Sequence, residues 1–154
     1  MTPEHSEHRV IPSTEYEVDQ NPARIDVAVV HGYLTRSYWA AGIPRTVVER
    51  SLAGSMVWGV YRGAEQVGFA RVITDKATFA YLCDVFILEP HQGHGLGQRL
   101  MAVILAHPDL QGLRRFLLAT KDAHGLYEKI GFQRVARPDR FMEINDAEIY
   151  RRGA

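Results

Sequence analysis

A single cysteine, Cys83, means that no intrachain disulfide can close, so covalent staples do not hold this fold. No apolar run approaches the roughly 20 residues of a membrane span, and the opening residues lack the basic-then-apolar pattern of a secretory leader. Excess charge is missing too. Lys plus Arg number 18 and Asp plus Glu number 18, with no long block of either sign, which excludes the strong positive field of a dedicated nucleic-acid binder. These absences predict a cytoplasmic protein in a reducing compartment, with neither nucleic acid nor membrane as partner.

What is present is apolar bulk. A chain of 154 residues, 46% apolar and 10% aromatic, has the size and hydrophobicity to bury one real core. Residues 1–14 are polar, carry two prolines and show no period, so they read as a flexible lead-in to a single domain over 15–154. A short strand is expected at 15–19. Asn21 followed by Pro22 reads as a helix cap and first helical residue, with Ile25, Val29 and Val30 at helical spacing behind it. Gly42 closes an aromatic stretch, and Pro44 opens a second helix to about Leu52.

The period then changes to that of strands. Residues 56–74 read as a hairpin around the loop RGAE, and 75–78 as a further turn. Residues 79–88 are too continuously apolar for a half-solvated strand and predict a central one, covered on both faces. Leu96, Leu100, Val103 and Ile104 mark a helix face that Pro108 stops. Residues 116–120 read as a second buried strand, 123–132 as a short helix ended by Gly131, and the stretch to 141–145 as a final hairpin. The order predicts a mixed α/β (α+β) fold: mostly antiparallel strands, then β-loop-α-β, then a short helix and the last strands.

Between the central strand and the helix lies EPHQGHGLGQRL, residues 89–100. A loop at the end of a buried strand, running into a helix, exposes N–H groups without intrahelical partners, and the helix dipole adds partial positive charge there. Gly93, Gly95 and Gly97 permit positive φ and close approach of a ligand to the main chain, so the loop suits a pyrophosphate, although a tight ligand-free turn has the same spacing. The Gly-Lys-Ser/Thr ending of a P-loop is absent, and a dinucleotide fingerprint does not fit a loop placed after several antiparallel strands.

These residues resemble a known family. Gln92-Gly93-His94-Gly95-Leu96-Gly97 is similar to the acyl-CoA pyrophosphate loop of the GNAT superfamily of N-acetyltransferases, and LYEKIGF, residues 126–132, is similar to its second landmark. The resemblance covers roughly residues 15–145. It implies the GNAT fold, with a mixed, mostly antiparallel sheet and helices on both faces, in which the strand 79–88 splays from 116–120 to admit the pantetheine arm of acetyl-CoA. The implied cofactor contacts are the main chain of Phe86, Ile87 and Leu88 and the loop Gln92, Gly93, His94, Gly95, Leu96, Gly97 and Gln98. Thr120, with Asp122 as a second substitute, stands where many members carry an asparagine that bonds the pantetheine. Gln92 stands where arginine is usual, so one charged phosphate partner is lost.

Amine acetylation needs a neutral nucleophile, yet an aliphatic amine titrates near ~10, so a base acting through water is expected. Asp84 interrupts an apolar strand and is the first candidate; a buried aspartate satisfied by the backbone or by an arginine is the alternative. Negative charge developing on the thioester oxygen would meet an N–H near Ile87, where family strands carry a bulge. The leaving thiolate, with a pKa near ~8.5, takes a proton from a phenol. Tyr127 matches the tyrosine of the family segment and is the expected donor, a packing tyrosine being the alternative. His124 as a relay and Glu89 as a base are weaker candidates, both residue types being commonly just solvated. Tyr33, Tyr38 and Trp39 either wall an acceptor pocket or belong to the core.

The chain is therefore expected to move an acetyl group from acetyl-CoA to a primary amine of a small molecule or peptide, without a metal. A homodimer pairing along residues 132–145 is a further expectation. A non-catalytic acyl-CoA sensor would bind without turnover, and an interaction module on the same fold would do neither.

Overall fold

Alternating β-branched and aromatic residues on either side of Gly63 build the hairpin at the centre of the molecule. In the computed structural model, which describes residues 13–152, β2 (Met56–Arg62) pairs antiparallel with β3 (Glu65–Thr74). β1 (Tyr16–Asp19) adds to β2 and β4 (Phe79–Ile87) to β3, both antiparallel, while β5 (Arg115–Leu118) joins β4 in parallel. The result is one five-stranded sheet in the order β1-β2-β3-β4-β5. Asp75 shapes the β3–β4 turn: its carboxylate accepts the Ala77, Thr78 and Phe79 amides and the Thr78 hydroxyl, which holds its carboxyl far below the usual range.

Two cores cover the two faces. On one face α1 (Val27–Leu34) and α2 (Arg45–Ala53) bury Val30, Leu34 and Val48 against Val57, Phe69 and Phe86. On the other, α3 (Leu96–Leu105) buries Leu96, Leu100, Met101 and Ile104 against Trp58, Val60, Val72 and Leu82. Neighbours on one strand, such as Val57 and Trp58, thus belong to different cores, as the two-residue period of a strand requires.

Four expectations change. The helix expected from Asn21 is split. Asn21 caps only the 3-10 turn Pro22–Arg24, and Asp26, accepting the Ala28 and Val29 amides, caps α1. On α3 the buried face is centred between Leu100 and Ile104, so Met101 is buried and Val103, on the shoulder, is exposed. The helix expected over 123–132 is only α4 (His124–Glu128), and no final hairpin forms. Residues 132–145 contain the 3-10 turn Pro138–Arg140 and no strand, with Met142 and Ile144 fully exposed. The outer edge of β5 is left without a strand partner among the described residues as a result. Of the lead-in, residues 1–12 lie outside the described residues, and Ser13–Glu15 form a 3-10 turn ahead of β1.

Candidate active site

The gap between β4 and β5 arises from register. Pairing runs from Phe79↔Arg115 to Leu82↔Leu118 and stops, although β4 continues to Ile87. Past Leu82, the β5-facing edge of β4 therefore has no ladder partner, which leaves backbone donors and acceptors exposed in a V-shaped cleft. The cleft holds about 1040 Å³ and is lined by β4 from Tyr81 to Val85, by Leu118 to Ala123 beyond β5, by Tyr127, and by Tyr33, Ser37, Tyr38 and Trp39 from the helical face. A flexible acyl-thioester arm and an acceptor fit this space together.

β4 is bent where the cleft opens. Arg71 faces Cys83 and Phe69 faces Phe86, so Asp84 and Val85 together oppose Ala70: a β-bulge in which Asp84 adopts φ 56. The expected bulge near Ile87 lies at Asp84–Val85 instead. Left-handed backbone is uncommon for a residue with a Cβ and collects at functional positions. The Asp84 carboxylate is 9% exposed and fully engaged: Arg71 Nε donates to one oxygen at 2.6 Å and Trp39 Nε1 to the other at 2.8 Å. Arg71 also donates to Ser55 Oγ at 3.1 Å, which ties the pair to the end of α2.

The glycine loop reaches α3 as the spacing demands. Gly93 and Gly95 take φ 85 and 72, and Gly95 is the N-cap of α3 with no side-chain cap. The first-turn N–H groups are left for an external acceptor. A Cβ built on Gly93, Gly95 or Gly97 meets no protein atom within 4 Å, so the space above the loop is clear for a pyrophosphate. The residues present thus fit acetyl-CoA: the loop for its phosphates, the open edge of β4 for its pantetheine.

The individual expectations fall out unevenly. Phe86 buries its side chain under Tyr33, the two rings stacked at 4.1 Å, so only its main chain faces the question of a cofactor. The Leu88 N–H is used by the Val67 carbonyl. Gln92 turns inward, donating from Nε2 to the Ile87 carbonyl at 2.9 Å and bracing the loop against β4. Thr120 Oγ1 accepts the Ala123 amide in the turn ahead of α4, which leaves its hydroxyl proton to give. His124 lines a separate groove of about 440 Å³ beside β5, which it shares with one side of Tyr127, and is absent from the main cleft; Asp122 and Glu89 line the main cleft. Tyr127 lies in the cleft wall, and burial first, with Tyr38 adding to it, pushes its phenol above the usual range. A phenol so placed keeps its proton throughout the neutral range.

Several site residues were not singled out from sequence. Arg71 interrupts an apolar strand just as Asp84 does, a signal that was available. Tyr16 and His91 carry no such signal: the Tyr16 hydroxyl lies 2.8 Å from His91 Nδ1, and the buried pair pins the turn that leads into the glycine loop to β1. No group of acidic, histidine or cysteine side chains among the described residues could hold a metal ion. No helix there is long and apolar enough to cross a membrane.

Comparison with known proteins agrees with this geometry. Residues 53–134 match the family model for the acetyltransferase (GNAT) domain. A crystal structure of a candidate GNAT-family acetyltransferase from Xanthomonas campestris superposes with TM-score 0.86 at 45% identity, covering 88% of this chain and 96% of that one. A Gibberella zeae protein named as a candidate acetyltransferase is 33% identical over 138 residues, 75% of this chain and 77% of that protein. A Clostridium acetobutylicum protein whose structure is described with acetyl-CoA shares the fold, with TM-score 0.60 at 14% identity over 84% of this chain and 94% of that one. The five-stranded mixed sheet has the GNAT fold, and the protein belongs to the GNAT acetyltransferase family.

Proposed function

We propose that the protein is an N-acetyltransferase that moves the acetyl group of acetyl-CoA onto a primary amine of a small molecule or peptide. The observation that carries this reading is one juxtaposition: a clear glycine loop at the N-terminus of α3, an open β4 edge beside it, and a protonated phenol, Tyr127, in the same cleft. Acetyl-CoA supplies an activated thioester. The first-turn amides of α3 and the main chain of residues 92–98 would hold its phosphates, and the open edge of β4 its pantetheine amides.

The chain's residues then divide the work. The amine nitrogen bonds to the carbonyl carbon, and its surplus proton leaves through water. Glu89, which lines the cleft and has no hydrogen-bond or ion-pair partner for its carboxylate among the described residues, is the simplest receiver; Asp84 can serve only if Arg71 or Trp39 releases an oxygen. A main-chain N–H at the Asp84–Val85 bulge would meet the oxygen on which charge develops. As the carbon–sulfur bond breaks, Tyr127 gives its phenolic proton to the sulfur and recovers one from solvent. The reaction belongs in the cytoplasm, where a reduced lone thiol and acetyl-CoA coexist, and two copies would pair at the β5 edge beside residues 132–145.

Calorimetric titration with acetyl-CoA tests the reading, beside a Gly97→Trp variant. Gly97 lies inside α3 with no unusual φ, so the indole fills the space above the loop without straining the backbone. Saturable binding to the native chain and none to the variant is the expected result. Tyr127→Phe should then bind acetyl-CoA as tightly but turn over about 10²-fold more slowly. Binding without turnover of any amine would leave a sensor, and absence of binding by the folded native chain would remove the acetyltransferase reading altogether.

A further inference from the structure

Tyr38 and Trp39 are neighbours in sequence, yet each is tied to a different lip of the cleft. Trp39 Nε1 donates to Asp84 on β4, and the Tyr38 hydroxyl accepts the Lys121 amide, beyond β5, at 3.3 Å. Their rings pack edge to face at 5.1 Å, and Tyr33 extends the surface at 6.2 Å from Trp39. The pair therefore bridges the mouth of the V. It still shows 60% and 42% of its surface to solvent, more than core aromatics do. Aromatic surface left open over a reaction cleft is surface for a ligand to cover.

The anchor beneath it is equally specific. Asp84 holds left-handed backbone at the bulge, and its two oxygens are shared between the Trp39 indole and the Arg71 guanidinium, itself fixed to Ser55. A carboxylate matched by a guanidinium offers little net charge to an incoming ammonium, and its geometry is that of a brace. We propose that Asp84, with Arg71, is a positioning residue that fixes Trp39 as the roof of the acceptor cleft, and that the acceptor is a primary amine borne on an aromatic or other flat apolar body packing under the Tyr33, Tyr38 and Trp39 rings. The inference rests on the acetyltransferase reading for turnover but not for binding.

Asp84→Asn separates a brace from a base. Asparagine tolerates left-handed backbone and still accepts from the indole through Oδ1, but its Nδ2 cannot accept from Arg71 and it is not basic at neutral pH. As a brace with one strut released, the variant raises KM for 2-phenylethylamine severalfold while the pH profile of kcat keeps its native shape, and Trp39→Ala raises KM for that amine about tenfold. A fall in kcat of about 10²-fold in Asp84→Asn, with loss of the acidic limb of the profile, would make Asp84 the base and overturn the positioning role.

A second readout needs no acetyl-CoA. The chain has two tryptophans, and Trp58 is fully buried, so a change in emission on adding an amine reports on Trp39. 2-Phenylethylamine should alter native emission saturably, 1,5-diaminopentane about tenfold less effectively, and Trp39→Phe should abolish the response. Equal response to both amines, or none to either, overturns the acceptor class. A normal response without turnover of any amine would instead sink the acetyltransferase reading and leave the aromatic cleft standing.

Discussion

Cys83 shows how burial decides reactivity. Half-buried on β4 in the cleft wall, its thiol is pushed up to about 12, by desolvation first, with Arg71 opposing the rise and Asp84 adding to it. Near pH 8 about one thiol in ten thousand is then ionised, and the thiolate is the reactive form. Thiol reagents should therefore label the denatured chain quickly and the native chain hardly at all, which a timed Ellman assay measures. A folded pKa above the unfolded one means that the native state holds its proton longer, so stability is intact below the unfolded value and declines as pH rises through about 9 toward 12. Cys83→Ala should show a shallower loss of thermal midpoint over the first part of that window, before the tyrosines titrate.

At the scale of elements, the glycine loop contains positions that look alike in sequence and differ in duty. Gly95 is held at φ 72, whereas Gly97 lies in the helix and needs no special backbone. Gly95→Ala should cost about 1–2 kcal/mol of stability, because a Cβ is strained in the left-handed region. Gly97→Ala should add a part of the roughly 1 kcal/mol that alanine gains over glycine in a helix interior, because Gly97 is only the second residue of α3. Urea unfolding of the two variants checks both. The loop as a whole is legible in the sequence, because glycine spacing, the apolar strand ahead and the apolar period behind all follow from local preferences. The double start of the first helix is less so, because Asn21-Pro22 and Asp26 are both valid caps and only the docking of Val30 and Leu34 on the sheet selects the second for α1.

At the scale of the whole molecule, β5 is an edge. It pairs with β4 on one side and with no strand on the other among the described residues. Beside it, the Arg115 guanidinium sits 4.7 Å over the Phe141 ring, while Met142 and Ile144 face solvent. An unpaired edge with exposed apolar side chains close by favours strand addition from another copy. The expected outcome is a dimeric mass by sedimentation equilibrium, shifted to monomer by Met142→Lys with Ile144→Lys; a monomeric native mass would remove the pairing.

What the sequence by itself determined is what short-range physics encodes. The β2–β3 hairpin, β4, the loop into α3 and the aromatic loop before α2 all follow from periods, glycines and caps within a few residues of one another. Only the tertiary structure decided which side chains meet. Arg71 and Asp84 are 13 positions apart and touch because the β3–β4 register, shifted by the bulge, sets them side by side; Trp39 reaches the same carboxylate from 45 positions away. The residues after Phe132 show the converse, a stretch expected to form strands that stays out of the sheet. Local preference is written along the chain, but register, burial and the partner of a charge depend on closing long loops over a shared core, and no stretch of sequence carries that alone.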